Sequence, residues 1–114
     1  MKFEIVQTEK GELARCELES KIESASDFLD LLFSSPADTI VLHKEDLPED
    51  FYDLKTKFAG EILQKLVNYG RRMVVLGDFE NSDSKSWKDF VYESNKQGRF
   101  VFTSSIEEGI SLLR

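Results

Sequence analysis

The sequence contains few of the residue types from which small reactive sites are usually built. Its 114 residues include one cysteine, Cys16, one histidine, His43, and two prolines. A single cysteine excludes an intramolecular disulfide and any zinc or iron–sulfur centre held by several cysteines. Neither the G-x-G-x-x-G nor the G-x-x-x-x-G-K phosphate-binding pattern occurs. We therefore expect no metal centre and no bound cofactor.

Positive charge and long apolar runs are also scarce. Fifteen Lys and Arg against 22 Asp and Glu give a net charge of −7, which repels nucleic-acid phosphates and anionic lipids. No uncharged segment approaches the ~20 residues that a membrane helix needs. The first seven residues lack the basic start and long apolar stretch of a signal peptide. These features predict a cytoplasmic protein that binds neither nucleic acid nor membranes.

What the sequence does contain is an ordinary globular composition. Hydrophobic residues make up 40% of the chain and charged residues 32%, as in typical soluble domains. No internal repeat, low-complexity tract or linker interrupts residues 1–114. The length and composition therefore predict one domain spanning residues 1–114.

The chain begins with a pattern typical of a β-hairpin. Apolar residues alternate with charged ones on both sides of a polar turn at residues 8–11, and the apolar members are Phe3, Ile5, Ala14, Cys16 and Leu18. Alternation with period two around a turn containing glycine predicts two antiparallel strands with one solvated face.

Three short apolar runs then alternate with amphipathic segments. Residues 39–42, 73–76 and 100–102 are typical of buried strands. Ser24 or Ser26 can cap a first helix before Pro36, whereas Ser86 and Ser105 open capping-box patterns for two later helices. The predicted order is β-β-α-β-α-β-α-β-α, an α/β fold with a mixed sheet that is mostly parallel.

The longest predicted helix runs from Pro48 to the glycine at position 70. Its apolar residues recur at steps of three or four, and they are Phe51, Leu54, Phe58, Ile62 and Leu66. Pro48 suits a first helical position, and the neighbouring acidic residues suit the positive end of the helix dipole. We interpret Gly60, inside this helix, as a notch for close packing against a neighbouring element.

The resemblance of this chain to a known family is carried by the segments Asp53–Leu66, Val74–Phe79 and Lys88–Asn95. They resemble the bacterial DUF4180 family, and the resemblance spans nearly the whole chain. It implies a small stand-alone bacterial protein from a family without an assigned activity.

The order of elements also resembles the anti-sigma-factor-antagonist (STAS) fold. In regulatory members of that fold, a serine at the start of the second helix accepts phosphate. The corresponding stretch here, residues 51–56, has no serine, and its nearest aliphatic hydroxyl belongs to Thr56, past the expected helix start. The serine phosphoswitch of that fold therefore does not transfer to this chain, and Thr56 is the one candidate phosphoacceptor in the stretch.

Several polar residues follow the predicted parallel strands and should meet at one edge of the sheet. They are His43, Glu45 and Asp46 after the third strand, Asp78 after the fourth, and Thr103, Ser104 and Ser105 after the fifth. Ser104 or Ser105, His43 and Asp78 could act as nucleophile, base and orienting group if they were in hydrogen-bond contact. Ser105 has a simpler role as a helix cap.

Five carboxylates within nine residues, from Glu45 to Asp53, could in principle attract an oxygen-liganded metal ion. Their spacing does not match the calcium-loop pattern. We interpret them as the solvated start of the long helix.

Two functions remain open. The preferred one is a non-enzymatic interaction or regulatory module of STAS-like type, whose partner is a protein or a second copy of the chain. That partner would bind the exposed face of the long helix or the loops at its start. The alternative is a small-ligand binder or hydrolase that uses the edge around His43, Asp78 and Ser104.

Overall fold

The computed structural model describes residues 1–114 as one five-stranded mixed sheet with four helices. The strands are β1 (Lys2–Thr8), β2 (Gly11–Glu17), β3 (Thr39–His43), β4 (Arg72–Leu76) and β5 (Phe100–Thr103), and the helices are α1 (Ala25–Ser34), α2 (Phe58–Asn68), α3 (Lys85–Gln97) and α4 (Ile106–Leu112). This order confirms the predicted β-β-α-β-α-β-α-β-α sequence of elements.

The strands lie in the sheet in the same order as in the chain, from β1 to β5. β1 pairs antiparallel with β2, and every other pair is parallel. Because successive right-handed crossovers all advance in one direction, α1, α2 and α3 are placed on the same face of the sheet. α4 follows the last strand and covers the opposite face.

Two unequal cores result. The first face of the sheet and the three helices bury a cluster of 19 residues, whereas the second face and α4 bury five. Leu13 belongs to the smaller cluster, so the prediction that the hairpin has one solvated face is wrong at this position. β2 is an interior strand, and both of its faces are covered there.

Phe51 is the centre of the larger core. Its ring is fully buried and lies within 6.0 Å, centroid to centroid, of four other aromatic rings, which belong to Tyr52, Phe58, Trp87 and Phe100. All four of these pairs are edge-to-face, a geometry that adds to the stabilisation expected from burial alone.

The predicted long helix is correct only in its second half. Residues 49–52 and 54–56 form separate 3-10 turns, and α2 begins at Phe58 after Lys57 adopts a positive φ of 67°. Local side-chain hydrogen bonds compete with helix formation here. The Asp53 carboxylate accepts from the Lys55 amide, and the Thr56 hydroxyl contacts the Asp50 and Asp53 carbonyl oxygens.

Two further local predictions are corrected. A Cβ atom at Gly60 would meet open space, whereas one at Gly109 would lie 2.8 Å from Val74 Cγ1. The glycine that permits close packing is therefore on α4.

The cap of α3 is Ser84, whose hydroxyl accepts from the Trp87 amide, and α3 therefore starts earlier than the pattern at Ser86 predicts.

The two edges of the sheet differ. At the β5 edge, the Asn95 side chain of α3 donates to the Phe102 carbonyl (3.0 Å) and accepts from the Phe102 amide (2.7 Å). The Ser94 hydroxyl donates to the Phe100 carbonyl. At the other edge, β1 pairs only with β2 along its seven residues. α3 therefore closes one edge, and the other is left open.

Candidate functional site

The carboxyl ends of β3, β4 and β5 meet at one end of the sheet, as predicted. His43 pairs with Leu76, and Leu76 pairs with Thr103. The Gly77 amide donates to the Thr103 carbonyl just beyond the strands. The three strands therefore end at the same level of the sheet, and the polar residues that follow them start from that level.

His43 does not join the other predicted site residues. Its exposed side chain lines a cleft of about 190 Å³ together with Glu4, Arg15 and Glu17. Its backbone amide donates to the Asp46 carboxylate at 2.8 Å, so Asp46 caps the chain after β3. No hydrogen bond of the structure joins His43 to Asp78 or to Ser104.

Asp78 and Ser104 lie together in a larger cleft of about 680 Å³. The chain leaves β4 toward α3 on the first face and leaves β5 toward α4 on the second face. Adjacent strands whose connections diverge to opposite faces open a crevice at the edge of the sheet, where α/β proteins commonly bind ligands. This cleft occupies that crevice.

The lining of the cleft combines carboxylates with aromatic rings. Its acidic side chains are Asp78, Glu80 and Glu108, and its only basic side chain is Lys88. Phe79 and Tyr92 supply aromatic surface. Tyr92 is 65% exposed. The cleft suits a small molecule that has a positive charge.

The loop that begins the cleft is held in place by residues that the sequence did not single out. Lys44 Nζ donates to the Asp78 carbonyl at 2.8 Å and lies 5.3 Å from the centroid of the Phe79 ring. The Tyr52 hydroxyl donates to the Lys44 carbonyl at 2.6 Å. Burial raises the pKa of Tyr52 well above its ordinary value, with Glu45 and Asp46 adding to the effect. Tyr52 therefore stays a neutral donor.

Gly77 has a structural role beside this loop. A Cβ atom there would lie 2.7 Å from the Cβ atom of Lys44. Only glycine lets the two segments approach this closely. The position therefore serves the packing of Lys44, which in turn fixes the loop at Asp78.

The remaining predicted hydroxyl residues have defined positions. The Ser105 hydroxyl accepts from the Glu108 amide and caps α4, as expected. Thr56 is exposed and immediately precedes the cap of α2, where its hydroxyl accepts from the Phe58 amide at 3.3 Å. The start of the helix therefore lies after Thr56, not before it. Its role as a phosphoacceptor stays a prediction.

Large apolar side chains are exposed at three places. Phe33 and Tyr69, which are 59% and 46% exposed, form an edge-to-face pair with ring centroids 5.1 Å apart. They follow the inner residues of α1 and α2, and Val67 is 52% exposed nearby in the chain. The second place is the start of the chain, where Met1, just before β1, is 47% exposed and Ile5, within β1, is 40% exposed. Tyr92 is the third.

Cys16 is a buried and unreactive thiol. It lies opposite Phe3 in the hairpin. Burial raises its pKa to about 12, and the nearby Asp46 charge acts in the same direction. At neutral pH the thiol is protonated, which removes the nucleophilic form.

These features define a small α/β protein with a mixed five-stranded sheet, a crevice at one end and large apolar side chains exposed at three places. The chain belongs to the DUF4180 family, described as a domain of unknown function, whose match covers residues 9–113. No curated protein and no solved structure matches the chain. The likeness of its element order to the STAS fold therefore stays a prediction.

Two further findings concern metals and membranes. No group of three or more His, Cys, Asp or Glu side chains is arranged to hold a metal ion. The acidic run at residues 45–53 instead supplies two backbone caps, from Asp46 and Asp53. None of the helices combines the length and apolar character needed to span a membrane.

Proposed function

We propose that this protein is a non-enzymatic, cytoplasmic interaction or regulatory module of bacterial cells, with a STAS-like fold. The observation that carries this proposal is the solvent-exposed aromatic pair of Phe33 and Tyr69. We call this pair the α1–α2 patch. Aromatic side chains are enriched in the energetically important centres of protein interfaces.

The geometry of the patch favours a rigid docking point. Phe33 is near the end of α1 and Tyr69 caps the end of α2, so both rings project from anchored helices. The ends of the two helices are joined by Arg71, which follows Tyr69 by two residues. Its guanidinium donates to the carbonyl of Leu32, the residue before Phe33, at 3.1 Å. A partner that covers the rings therefore loses little conformational entropy in ordering them.

The charge of the surroundings points to the chemistry of the partner. Asp30 lies one helical turn before Phe33 on α1. The charge of the neighbouring Arg71 is paired with Asp38 at 3.6 Å, and the whole chain carries a net charge of −7. We therefore expect a protein partner that presents apolar side chains flanked by Lys or Arg. Such complementarity increases the association rate and makes it sensitive to salt.

Site-specific crosslinking tests this function. A photoreactive phenylalanine analogue at Tyr69 should crosslink a defined protein in native lysate, which mass spectrometry then identifies. With the purified partner, Phe33→Ser combined with Tyr69→Ser should weaken binding by roughly a hundredfold, as expected for the loss of two aromatic anchors. Binding should also weaken as salt concentration rises.

Tyr92→Ser is the matched control, because Tyr92 is an exposed aromatic residue away from the patch. It should leave the measured affinity unchanged. Equal binding by the double patch variant and by the wild type would contradict the proposal.

The crevice at Asp78 and Ser104 favours a second candidate function, the binding of a small ligand. Three carboxylates, one ammonium group and three aromatic rings in its lining suit a small organic cation. A hydrolase would require a base beside Ser104, and His43 lines another cleft. The binding function therefore depends on Asp78 and Glu108 rather than on His43.

Amide chemical shifts test this second candidate. A panel of small amines titrated into the labelled protein should move the signals of residues 77–80 and 103–108. Asp78→Asn combined with Glu108→Gln should abolish those movements. If no amine moves these signals, the crevice is not a cation-binding site.

A further inference from the structure

The open edge of β1 has a pattern of side chains that is complementary to itself. The first five residues read apolar, basic, apolar, acidic, apolar. Because side chains alternate along a strand, Met1, Phe3 and Ile5 share the face that carries the helices, and Lys2 and Glu4 share the other. The two large apolar side chains exposed here, Met1 just before β1 and Ile5 within it, lie within these five residues.

We propose that two copies of the chain associate by antiparallel pairing of their β1 strands, centred on Phe3. This pairing places Phe3 opposite its own copy and Met1 opposite Ile5. On the other face it places Lys2 opposite Glu4, twice. The two sheets then join into one continuous sheet of ten strands. The proposal goes beyond the proposed function, because this edge shares no residue with the α1–α2 patch.

The existing hairpin extends the charge pattern. Within one chain Lys2 pairs across the ladder with Glu17, and Glu4 pairs with Arg15 at 3.9 Å. The proposed dimer therefore has rows of alternating charge across four strands: Glu17 and Lys2 of one copy, then Glu4 and Arg15 of the other. Opposite charges directly across neighbouring strands stabilise a sheet.

Other antiparallel registers lack this complementarity. Pairing centred on Glu4 would bring two carboxylates directly opposite each other. Pairing centred on Ile5 would place Phe3 opposite Gln7 and Lys2 opposite Thr8. Since like charges and mismatched pairs destabilise neighbouring strands, the register centred on Phe3 is favoured. A strand from an unrelated protein would not supply both charge pairs by symmetry.

The test is sedimentation velocity over low to high micromolar concentrations, on protein with a native amino terminus and a carboxy-terminal tag. The wild type should show a reversible monomer–dimer equilibrium. Lys2→Glu and Glu4→Lys should each weaken dimerisation about tenfold or more, because each places like charges opposite one another in both symmetric pairs. Circular dichroism confirms that each variant is folded.

Mixing the two variants is the decisive step. The Lys2→Glu chain has two negative charges where the Glu4→Lys chain has two positive charges. An equimolar mixture should therefore form a heterodimer with an affinity at least equal to that of the wild type. This recovery cannot arise from a general loss of folding in either variant.

Lys55→Glu and Glu93→Lys are matched controls, because they make the same changes of net charge at exposed positions elsewhere. Both should dimerise like the wild type. A wild type that stays monomeric, single variants that dimerise normally, or a mixture that stays monomeric would each overturn the proposal.

Discussion

The two edge strands of the sheet, β1 and β5, differ in what contacts their outward-facing backbone groups. Any edge strand has backbone groups without a partner strand and can pair with another chain. At β5, Asn95 and Ser94 bond those groups from within the molecule. At β1 no element covers them, and the side chains have alternating charge instead. One edge is therefore closed from within the molecule, and the other is the edge at which we propose that two copies associate.

The core beside each edge differs correspondingly, and truncation of apolar residues should show it. Phe102 is buried, and its ring is close to several other aromatic rings, including Phe90 and Phe79. Phe102→Ala should therefore lower the free energy of unfolding by about 3–5 kcal/mol. Ile5→Ala, on the open strand, should cost about 1 kcal/mol or less in dilute solution.

Urea unfolding of the two variants measures this contrast. The midpoint should fall much further for Phe102→Ala, with similar denaturant dependence in both variants. Equal losses of stability would mean that β1 is as firmly packed as β5.

Removal of the side chain that closes β5 is the next largest effect. Asn95→Ala leaves the Phe102 amide and carbonyl without their side-chain partner. The expected cost is about 2–4 kcal/mol, because buried polar groups lose their hydrogen bonds. Asn68→Ala is the control, since Asn68 is exposed and bonds only to Gln64. Chemical denaturation should show a loss at least threefold larger for Asn95→Ala.

Local patterns allowed the prediction of much of this fold. The hairpin, the three parallel strands and the cap at Ser105 each depend on residues close together in sequence. The long helix was wrong because Asp53 and Thr56 bond to the backbone locally, although the spacing of apolar residues around them fits a helix. Apolar periodicity does not reveal that competition.

The site was predicted less completely for the same reason. Asp78 and Ser104 were expected at one edge because parallel strands end together, and they do line one crevice. His43 lies in a different cleft from Asp78 and Ser104. This separation depends on the directions in which the chain leaves β4 and β5. The roles of Asn95 and Tyr52 depend on contacts between segments that are distant in sequence, which no local pattern contains.

Stability at alkaline pH tests whether β1 shields Cys16 of the neighbouring strand β2 from water. The pKa of Cys16 is about 12 in the folded protein against an ordinary value of 9.0. The raised value favours the folded state fully below pH 9, and that contribution is lost as the pH rises toward 12. In this window stability should fall by about 1 kcal/mol per pH unit through this thiol alone.

Comparison with Cys16→Ala isolates the effect, because every other titratable group is the same in both proteins. The variant should show a shallower decline of unfolding free energy between pH 9 and 11. Identical slopes would mean that the thiol is accessible to water through the open edge.

The smallest expected effect separates folding from association. Glu4→Gln removes an exposed ion pair with Arg15 that is 3.9 Å long. In dilute solution the free energy of unfolding should change by less than about 0.5 kcal/mol. At high concentration the same variant should dimerise more weakly. A large loss of stability in the monomer would show that the charge row is needed for folding.

Amide hydrogen exchange, followed by NMR at two protein concentrations, tests the contrast between the edges most directly. At low concentration the Phe102 amide should be strongly protected, and alternate amides of β1 should exchange rapidly. At high concentration those β1 amides should become protected as the second copy pairs with them. Rapid exchange at Phe102, or β1 protection that does not change with concentration, would contradict the account.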